Sequence, residues 1–366
     1  MAKNQNSNES AMSTKAITTL ADHSDFDKLN SPGTERRMSM RGFDPDYVDI
    51  VDYIIRCTHK IWDERAVGLI YTHYSHNSKV HTPNGLIYGR EDVVAGTIQF
   101  LSAFPDRQGI AEDVIWTGND VDGFRTSHLV YGQGKNTGYS SYGPPTGRKI
   151  FYRTIADCAI IENKIYEEWL VRDSMSIVQQ LGYDPHEVAR QMAERDRASG
   201  KRPAFELIDT ERSIGQGTPP IYPPKTSAGF DVEDFMRRTY HEIWNWRLFN
   251  RINENYIENF ECHSAGGREV YGRDNYIAYL LSLLAMFTDF KMTIDHIYWL
   301  GNDEDGYRVA MRWSLVGTHN GYGPYGDPTG NKVYVMVLSQ HHIRNGKFVE
   351  EWMLFDELAL LKQIYL

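Results

Sequence analysis

The chain contains an internal repeat, and this repeat limits its fold more than any other feature of the sequence. The tripeptide YGR at 88–90 recurs at 271–273, an offset of 183 residues. The same offset aligns further identical segments: Trp116 with Trp299, GND at 118–120 with 301–303, PTG at 145–147 with 328–330, and EEW at 167–169 with 350–352. Solenoid repeats are shorter, about 20–50 residues. The sequence therefore predicts two diverged copies of one domain.

The segments outside the repeat have a different composition. We expect the first domain at 43–182 and the second at 230–366. Residues 1–42 are polar and rich in Ser and Asn, which predicts a flexible N-terminal arm. Residues 183–229 hold a charged helical run that begins at Asp184-Pro185, then the Pro-rich stretch TPPIYPPK. This composition predicts a helical and Pro-rich linker.

Hydrophobic periodicity predicts the elements of the first copy. Apolar residues at helical spacing predict three helices, within 47–62, 63–75 and 90–104, and Pro105 ends the third. A short strand is expected at 79–83. Four extended runs follow, at 110–118, 123–132, 148–161 and 164–172. Helices that cover one face of a curved antiparallel sheet make an α+β fold.

Charge and cysteine content exclude several classes of protein. The net charge is −10 and no stripe is rich in Lys or Arg, which argues against a nucleic-acid partner. The three cysteines are too far apart in sequence for a disulfide framework or a metal motif, and they favour a reducing compartment. The N-terminus has no signal-like apolar core, and the most apolar stretch, 276–287, is too short to span a bilayer. We expect a cytoplasmic protein with no membrane partner.

Three segments of the first copy carry a family resemblance. YGRED at 88–92, GPPTGRK at 143–149 and ENKIYEEW at 162–169 resemble the SnoaL-like branch of the nuclear-transport-factor-2-like superfamily, in order and in spacing. The second copy repeats them as YGRDN, GDPTGNK and NGKFVEEW. The resemblance implies two cone-shaped α+β barrel domains in tandem, each a curved antiparallel sheet with three helices. Because such domains pair through their sheets, we expect the two copies to form that pair within one chain, with further homo-oligomerisation still open.

The sequence departs from two enzyme types within this superfamily. Ketosteroid isomerases carry an Asp base beside the Pro after the first strand, whereas Thr82 precedes Pro83 in this chain. Polyketide cyclases place an acid–base Asp just after the Trp of the last strand, where Leu170 and Met353 stand in the two copies. These departures argue against steroid isomerisation and against aldol cyclisation of that kind.

Two histidines of the first copy are candidate general bases. His81 lies in the first strand, and its counterpart His263 follows 182 residues later, before a one-residue gap. His128 lies mid-strand, and Met311 stands at the matching position of the second copy. A neutral imidazole is a common general base near pH 7, and a strand that lines the hollow of the cone would point it at a ligand. Each could instead be a structural or outward-facing polar residue.

Three carboxylates of the first copy are candidate acids or bases. Strand alternation places Glu168 on one face with Arg172, and a carboxylate inside an apolar cone would have a raised pKa. Asp157 lies mid-strand, where it could be a base or half of an ion pair with Arg153. Asp173 ends the last strand and could act in catalysis or cap the next element. Glu168 could instead face solvent and pair with Arg172.

Substrate-binding residues are expected among aromatic and cationic side chains. The Gly-, Tyr- and Pro-rich loops at 136–147 and 319–330 are expected at the rim of a pocket or at a dimer contact. Neither loop has a phosphate-binding motif. The residues that we expect to contact substrate are Trp62, Tyr88, Tyr139, Tyr142 and Arg172.

Metal and cofactor binding are not predicted. His73 and His76 lie three residues apart at the end of the predicted second helix, near His81, but no matching carboxylate pattern accompanies them. No dinucleotide, haem or Cys-metal motif is present in the sequence. We therefore expect chemistry without a cofactor or a metal.

These features lead to one functional hypothesis and one alternative. We expect a cofactor-independent acid–base enzyme, a lyase or dehydratase or an isomerase, acting on a small aromatic or polyketide-like molecule in a pocket of the first domain. The second copy has Met311 for His128 and Gln340 for Asp157, and Met311, Trp313 and Met336 are expected to fill its hollow. The alternative is a non-catalytic module that binds a small molecule or acts as a scaffold.

Overall fold

A computed structural model describes residues 26–208 and 229–366. The first 25 residues of the predicted arm, and the Pro-rich stretch within 209–228, lie outside the described residues. Residues 26–42, which the sequence assigns to the flexible arm, are packed against the first copy. Leu29 and Met40 are buried in its core, so a packed segment precedes the predicted start of the domain at residue 43.

Both copies contain helices and a six-stranded sheet. The helices of the first copy and of the linker are α1 (Phe26–Asn30), α2 (Ile50–Trp62), α3 (Ile70–His73), α4 (Arg90–Ala103), α5 (Ser174–Leu181) and α6 (Pro185–Ala198). Its strands are β1 (Tyr74–Thr82), β2 (Gly85–Tyr88), β3 (Gln108–Asn119), β4 (Gly123–Lys135), β5 (Lys149–Ile161) and β6 (Lys164–Arg172). Short 3-10 turns lie at Val67–Leu69 and Ala204–Leu207.

The second copy repeats this order. Its helices are α7 (Val232–Tyr240), which continues as a π-helical turn at His241–Asn245, then α8 (Arg251–Asn255), α9 (Arg273–Met286) and α10 (Glu357–Ile364). Its strands are β7 (Tyr256–Ser264), β8 (Arg268–Tyr271), β9 (Lys291–Asn302), β10 (Gly306–Thr318), β11 (Lys332–Arg344) and β12 (Lys347–Phe355). The predicted tandem of two α+β domains is confirmed.

The strand order is identical in the two sheets. It is β2-β1-β6-β5-β4-β3 in the first copy and β8-β7-β12-β11-β10-β9 in the second. Each sheet is mixed and not purely antiparallel as expected, because the β1–β2 hairpin packs its first strand parallel to the last strand of the meander. No helix of the described ranges is both long and apolar enough to cross a membrane.

Local sequence explains where the main helices begin and end. The side chain of Asp49 accepts a hydrogen bond from the Asp52 backbone N–H at 2.8 Å, which caps α2. The apolar face of α2 is buried in the core of the first copy. α4 follows Gly89, whose φ of +87° favours glycine, and ends just before Pro105. In the linker, Asp184 caps α6 ahead of Pro185, as its sequence predicts.

The predicted second helix is largely absent. Residues 63–75 form only a 3-10 turn and the one-turn helix α3, and β1 begins at Tyr74. Arg65 adopts a left-handed φ of +61° in the turn that separates α2 from this segment, which interrupts the helical pattern. His73 therefore ends α3 while His76 lies in β1, so the two histidines do not share a helix face.

The two copies pack sheet against sheet, as expected for the pair. Apolar side chains from β4, β5 and β6 meet those of β11 and β12 in one buried cluster. Asp157 of β5 contacts Arg312 of β10, and Gln340 of β11 donates a hydrogen bond to the backbone oxygen of Ser127 of β4 at 2.9 Å. Because Gln340 is the counterpart of Asp157, and β10 is the counterpart of β4, these contacts are reciprocal. The pairing is therefore approximately twofold.

Candidate active site in the first copy

Three neighbouring strands build the concave inner face of the first sheet. In the registers of β4 with β5 and of β5 with β6, three cross-strand rows point away from the second copy. These rows are Val130–Thr154–Arg172, His128–Ala156–Leu170 and Thr126–Cys158–Glu168. Because successive side chains of a strand alternate between faces, Glu168, Leu170 and Arg172 of β6 all face inward.

A cavity of about 320 Å³ lies between this inner face and the helices of the first copy. Its walls are mainly apolar, with α2 supplying Ile54 and Trp62, and α4 supplying Phe100. Polar groups converge from the sheet: His128, Glu168 and Arg172. Such a volume and lining are typical of pockets for small organic ligands.

Glu168 is a carboxylate of this cavity and lies at the middle of β6. The phenol of Tyr74 donates a hydrogen bond to Glu168 Oε2 at 2.9 Å. Burial raises the pKa of Glu168 to about 7, against the lowering effects of the Tyr74 hydrogen bond and of the positive charge of Arg172. The group can therefore exchange a proton near neutral pH.

His128 is a neutral imidazole on the β4 side of the cavity. It is buried, and among the described residues its Nε2 atom has no hydrogen-bond partner. Burial lowers its pKa to about 3, with a further lowering from the charge of Arg107. His128 also borders a second hollow of about 810 Å³, which lies between residues 30–34 and α2. It can accept or donate a hydrogen bond to a ligand but carries no charge near pH 7.

Arg172 lies at the end of the cavity opposite to Glu168 along β6. Its guanidinium carbon lies 4.1 Å from the ring centre of Phe100 and 5.8 Å from those of Trp62 and Tyr152. Tyr142 and Ser174 line the same end. Aromatic faces hold the cation in place through cation–π contacts but offer it no oxygen ligand.

Five of the ten predicted site residues line this one cavity. They are the candidate acid–base residues His128 and Glu168 and the candidate substrate contacts Trp62, Tyr142 and Arg172. Burial raises the pKa of Tyr142 to about 12, so its phenol is a neutral hydrogen-bond donor in the physiological range.

His81 lies on the other face of the sheet, so the expectation that it lines the hollow is wrong. Its ring stacks on Trp169 with the ring centres 5.0 Å apart, and its Nε2 lies 2.9 Å from Glu167 Oε1. Val80, its neighbour in β1, is the residue that points into the cavity. The physical reason is strand alternation: adjacent residues of β1 face opposite sides.

Asp157 and Asp173 are also outside the cavity and have structural contacts. Asp157 Oδ2 accepts from Arg312 at 2.8 Å and its Oδ1 from the Tyr298 phenol at 2.9 Å, both across the domain interface. The expected partner, Arg153, is bound by Glu112 and Glu269. Asp173 caps α5.

Tyr88 and Tyr139 do not reach the cavity either. Tyr88 at the end of β2 is 58% exposed, and Tyr139 in the loop after β4 is 77% exposed. Of the predicted rim loop, Tyr142 alone among its tyrosines lines the cavity within the part of the chain that the structure describes.

Two residues of this site were not expected there from the sequence. Tyr74 was assigned to a helix, and the early start of β1 turns it toward Glu168. Asp356 comes from the second copy and borders the cavity beside Ser174, which donates a hydrogen bond to it at 2.8 Å. Burial raises the pKa of Asp356 to about 6. Only the domain pairing brings this carboxylate to the first copy.

The corresponding hollow of the second copy is filled. The space left there is about 10 Å³ and is bounded by Trp244, Trp313, Phe290 and Phe355 among other apolar side chains. Trp313 fills the hollow as expected. Met336 does not, because it lies on the interface face of β11, in the cluster between the sheets.

Glu351 of the second copy has the burial of Glu168 but no adjoining space. The phenols of Tyr240 and Tyr276 donate hydrogen bonds to it at 2.5 Å and 2.9 Å. Burial raises the pKa of Glu351 to about 7, although both hydrogen bonds lower it. A fully enclosed carboxylate of this kind has no room for a substrate.

One group of potential metal ligands lies outside the cavity. Glu261, His263 and Glu350 on β7 and β12 have ligand atoms within 4.8 Å of one another. The imidazole of His263 is already hydrogen-bonded to Glu269 and to Glu350. Burial lowers the pKa of His263, but these two hydrogen bonds outweigh it and raise the pKa to about 9. The imidazole of His263 thus forms an ion network with the carboxylates of Glu269 and Glu350.

The family of the chain follows from a family-model comparison. The model for SnoaL-like polyketide cyclases matches twice, over residues 53–181 and 234–364, which together make up more than half of the chain. The chain belongs to the SnoaL-like polyketide cyclase family. Each match falls within one copy of the repeat, so the protein is a tandem SnoaL-like protein.

Solved structures similar to this SnoaL-like protein each cover about one copy. A putative SnoaL-like polyketide cyclase from Jannaschia sp. CCS1 is 17% identical, covers 38% of this chain and 98% of its own, and has a TM-score of 0.33. A putative polyketide cyclase from Acidithiobacillus ferrooxidans is 19% identical over 38% and 97% of the two chains, with a TM-score of 0.33. IdmH, a putative polyketide cyclase from Streptomyces antibioticus, is 21% identical over 37% and 100%, with a TM-score of 0.33. A search of curated proteins found no match.

Membership of this family suggests a catalytic role of the cyclase or isomerase type on a small molecule. One position at which the sequence departs from the polyketide cyclases, Leu170, lies in the same cavity. Leu170 occupies the position after the last-strand Trp, where the resemblance implies an acid–base Asp, and it lines the cavity. The inward-facing carboxylate of β6 is instead Glu168, two residues earlier on the same face.

Proposed function

We propose that the cavity of the first copy is the active site of a cofactor-independent acid–base enzyme, of the isomerase or lyase type, for a small aromatic or polyketide-like molecule. The single observation that carries the proposal is Glu168, a buried carboxylate with a pKa of about 7 beside an open apolar space. A carboxylate with this pKa is ionised in part of the molecules at neutral pH and is a stronger base than an exposed one.

Glu168 is proposed to abstract a proton from a carbon next to a carbonyl group of the bound molecule. This step is common to isomerisation, elimination and aldol-type ring closure, so it does not depend on which product forms afterwards. Tyr74 keeps the carboxylate oriented through its hydrogen bond at 2.9 Å. The apolar walls from α2 and α4 exclude water and thereby keep the pKa of Glu168 raised.

His128 is proposed to stabilise the enolate oxygen that the abstraction creates. His128 on β4 and Glu168 on β6 are separated by β5 and belong to neighbouring cross-strand rows. The small side chain of Ala156 on β5 leaves room between them. A neutral imidazole keeps one N–H group, which can donate a hydrogen bond to the developing negative charge. The two groups would flank a substrate from opposite sides.

The second copy supports the assignment to the first. Its hollow is reduced to about 10 Å³, and Met311 replaces His128. We propose that the second copy acts mainly as a scaffold that covers the interface face of the first sheet. It also contributes Asp356 to one end of the cavity.

The proposal is tested by hydrogen–deuterium exchange at carbon. Candidate aromatic and polyketide-like ketones are incubated with the full chain in deuterated buffer with a chelator, and mass spectrometry follows label at the carbon beside the carbonyl. We expect Glu168→Gln to slow exchange by about 10²–10⁴-fold, because one positioned base is typically worth that much. The matched control is Glu351→Gln, which removes the counterpart carboxylate in the filled copy and should leave exchange unchanged.

Two outcomes would contradict the proposal. One is exchange by Glu168→Gln at the wild-type rate in folded protein. The other is an equal loss in Glu351→Gln. Binding of such molecules by wild-type protein with no exchange at any carbon would instead favour a non-catalytic binding module.

A further inference from the structure

The cavity of the first copy contains a cation that the fold does not require. Arg172 faces the cavity from β6, yet no carboxylate among residues 26–208 and 229–366 forms an ion pair with it. Its Nε atom is buried without a hydrogen-bond partner in that same part of the chain. The residue as a whole is half-buried, and a ligand that fills the cavity would remove its charge from water, a cost that an anionic group on that ligand would offset.

The second copy serves as an internal control for this position. Its counterpart of Arg172 is Phe355, which is 3% exposed and packs in the apolar filling of the second hollow. The same strand of the same fold is thus completed by an apolar ring where no cavity exists. The fold can therefore be completed without a cation at the end of this strand.

The surroundings of Arg172 leave its polar edge available to a ligand. Phe100 contacts the face of the guanidinium at 4.1 Å, which orients the planar group but does not occupy its N–H donors. Asp356 borders the same end of the cavity, but its Oδ2 accepts from Ser174 at 2.8 Å and its Oδ1 from the Ala359 backbone at 3.1 Å. The nearby Tyr142 phenol can donate a hydrogen bond alongside the guanidinium.

We infer that the ligand of this cavity carries an anionic group, most simply a carboxylate, which the guanidinium of Arg172 binds at the end of the cavity opposite to Glu168. Arginine is suited to this role because its planar fork matches a carboxylate with two parallel hydrogen bonds. The inference rests on the proposed function in that it names the substrate class of the same site: an aromatic or polyketide-like acid.

The strand geometry also sets the size of this ligand. Glu168 and Arg172 are four residues apart on one face of β6, which places their Cα atoms roughly 13 Å apart in an extended strand. A ligand that reaches from one side chain to the other must carry its acidic group and its reacting carbon at opposite ends.

A pair of probes that differ only in charge tests the inference. We would measure the affinities of 6-hydroxy-2-naphthoate and of 6-hydroxy-2-naphthamide for the full chain by isothermal titration calorimetry. We expect the acid to bind about ten- to a hundredfold more tightly than the amide, since hydrogen bonds to charged groups typically contribute that much. Arg172→Gln should abolish this preference and leave the affinity of the amide unchanged, whereas Arg172→Lys should retain part of it.

Controls separate a local effect from charge and from folding. Arg190→Gln removes one positive charge from α6, where the side chain is half exposed, and should keep the full preference for the acid. Thermal denaturation shows whether each variant is folded. Equal affinities of the two probes for wild-type protein, no binding of the acid, or an unchanged preference in Arg172→Gln would each overturn the inference.

The same titrations distinguish this inference from the proposed function. Glu168→Gln lacks the proposed base but keeps Arg172, so it should still prefer the acid. If carbon exchange is independent of Glu168 while the preference for the acid holds, the proposed function fails and the anion site stands. If exchange depends on Glu168 while both probes bind equally, the anion site fails alone.

Discussion

At the scale of single residues, two equivalent carboxylates differ in the space beside them and not in their chemistry. Glu168 and Glu351 occupy equivalent positions, and burial raises the pKa of each to about 7. Only Glu168 borders a cavity, whereas two tyrosine phenols enclose Glu351. The same carboxylate is therefore a candidate base in one copy and an internal polar contact in the other.

The raised pKa of Glu168 predicts a pH dependence. If the ionised carboxylate is the base, its reactive fraction rises with pH through its folded-state pKa, so kcat/KM should increase up to about pH 7 and then level off. His128, with a pKa lowered to about 3, stays neutral throughout this range and adds no inflection near pH 7. Initial rates between pH 5 and pH 9 would measure the profile. A flat profile, or activity that falls as pH rises through 7, would contradict a basic role for Glu168.

At the scale of elements, the residue that caps α5 also joins the two copies, because its carboxylate accepts hydrogen bonds from backbone N–H groups of both. Asp173 Oδ1 accepts from the Ser176 N–H, which caps the helix, and also from the Gly266 N–H of the second copy at 2.9 Å. Its Oδ2 accepts from the Gly267 N–H at 2.8 Å. The Asp173 carboxylate, directly after β6, thus caps α5 and also binds two backbone N–H groups of the turn between β7 and β8.

This arrangement predicts a large effect for one helix cap. We expect Asp173→Ala to lower the free energy of unfolding by about 3 kcal/mol, because it removes a cap and leaves two further backbone N–H groups unpaired. Asp184→Ala is the matched control, since Asp184 caps α6 through two contacts within its own helix and its loss should cost about 1 kcal/mol. Urea denaturation of both variants gives the comparison. Equal losses would mean that the contacts to Gly266 and Gly267 add no stability.

At the scale of the whole molecule, the two copies of one fold differ in their interiors. The first copy has an open hollow, whereas apolar side chains fill the hollow of the second. The interface between them is not only apolar: Asp113 of β3 pairs with Arg308 of β10 at 2.7 Å, and both side chains are buried. A shift in register of the two sheets would separate these two charges and leave each buried without its partner.

Asp157 provides a test of this interface that also separates structure from catalysis. We expect Asp157→Ala to lower the free energy of unfolding by about 3 kcal/mol, since it leaves Arg312 buried without its partner carboxylate. The double variant Asp157→Gln with Arg312→Leu copies the residues that stand at the equivalent positions, Gln340 and Leu129, and should recover most of that loss. Chemical denaturation measures both, and carbon exchange should persist in the double variant. Loss of exchange in a folded double variant would return Asp157 to the list of catalytic candidates.

The sequence by itself determined the duplication, the α+β class and most of the strands, because these depend on local patterns. β6 begins and ends where its alternating pattern does, and the pattern also places Glu168 with Arg172 and opposite Trp169. The sequence missed the short α3 and the early start of β1, where a left-handed turn at Arg65 interrupts a pattern that otherwise suits a helix.

Only the tertiary structure decided which face of each strand lines the hollow. Alternation divides β1 and β5 into two faces but does not say which one meets the second copy, because that depends on packing between residues far apart in sequence. His81 and Asp157 therefore turned out to face the interface, and Asp356 reached the cavity from the other domain. Whether a hollow stays open depends on the summed volume of side chains from several elements, a quantity that no local pattern contains.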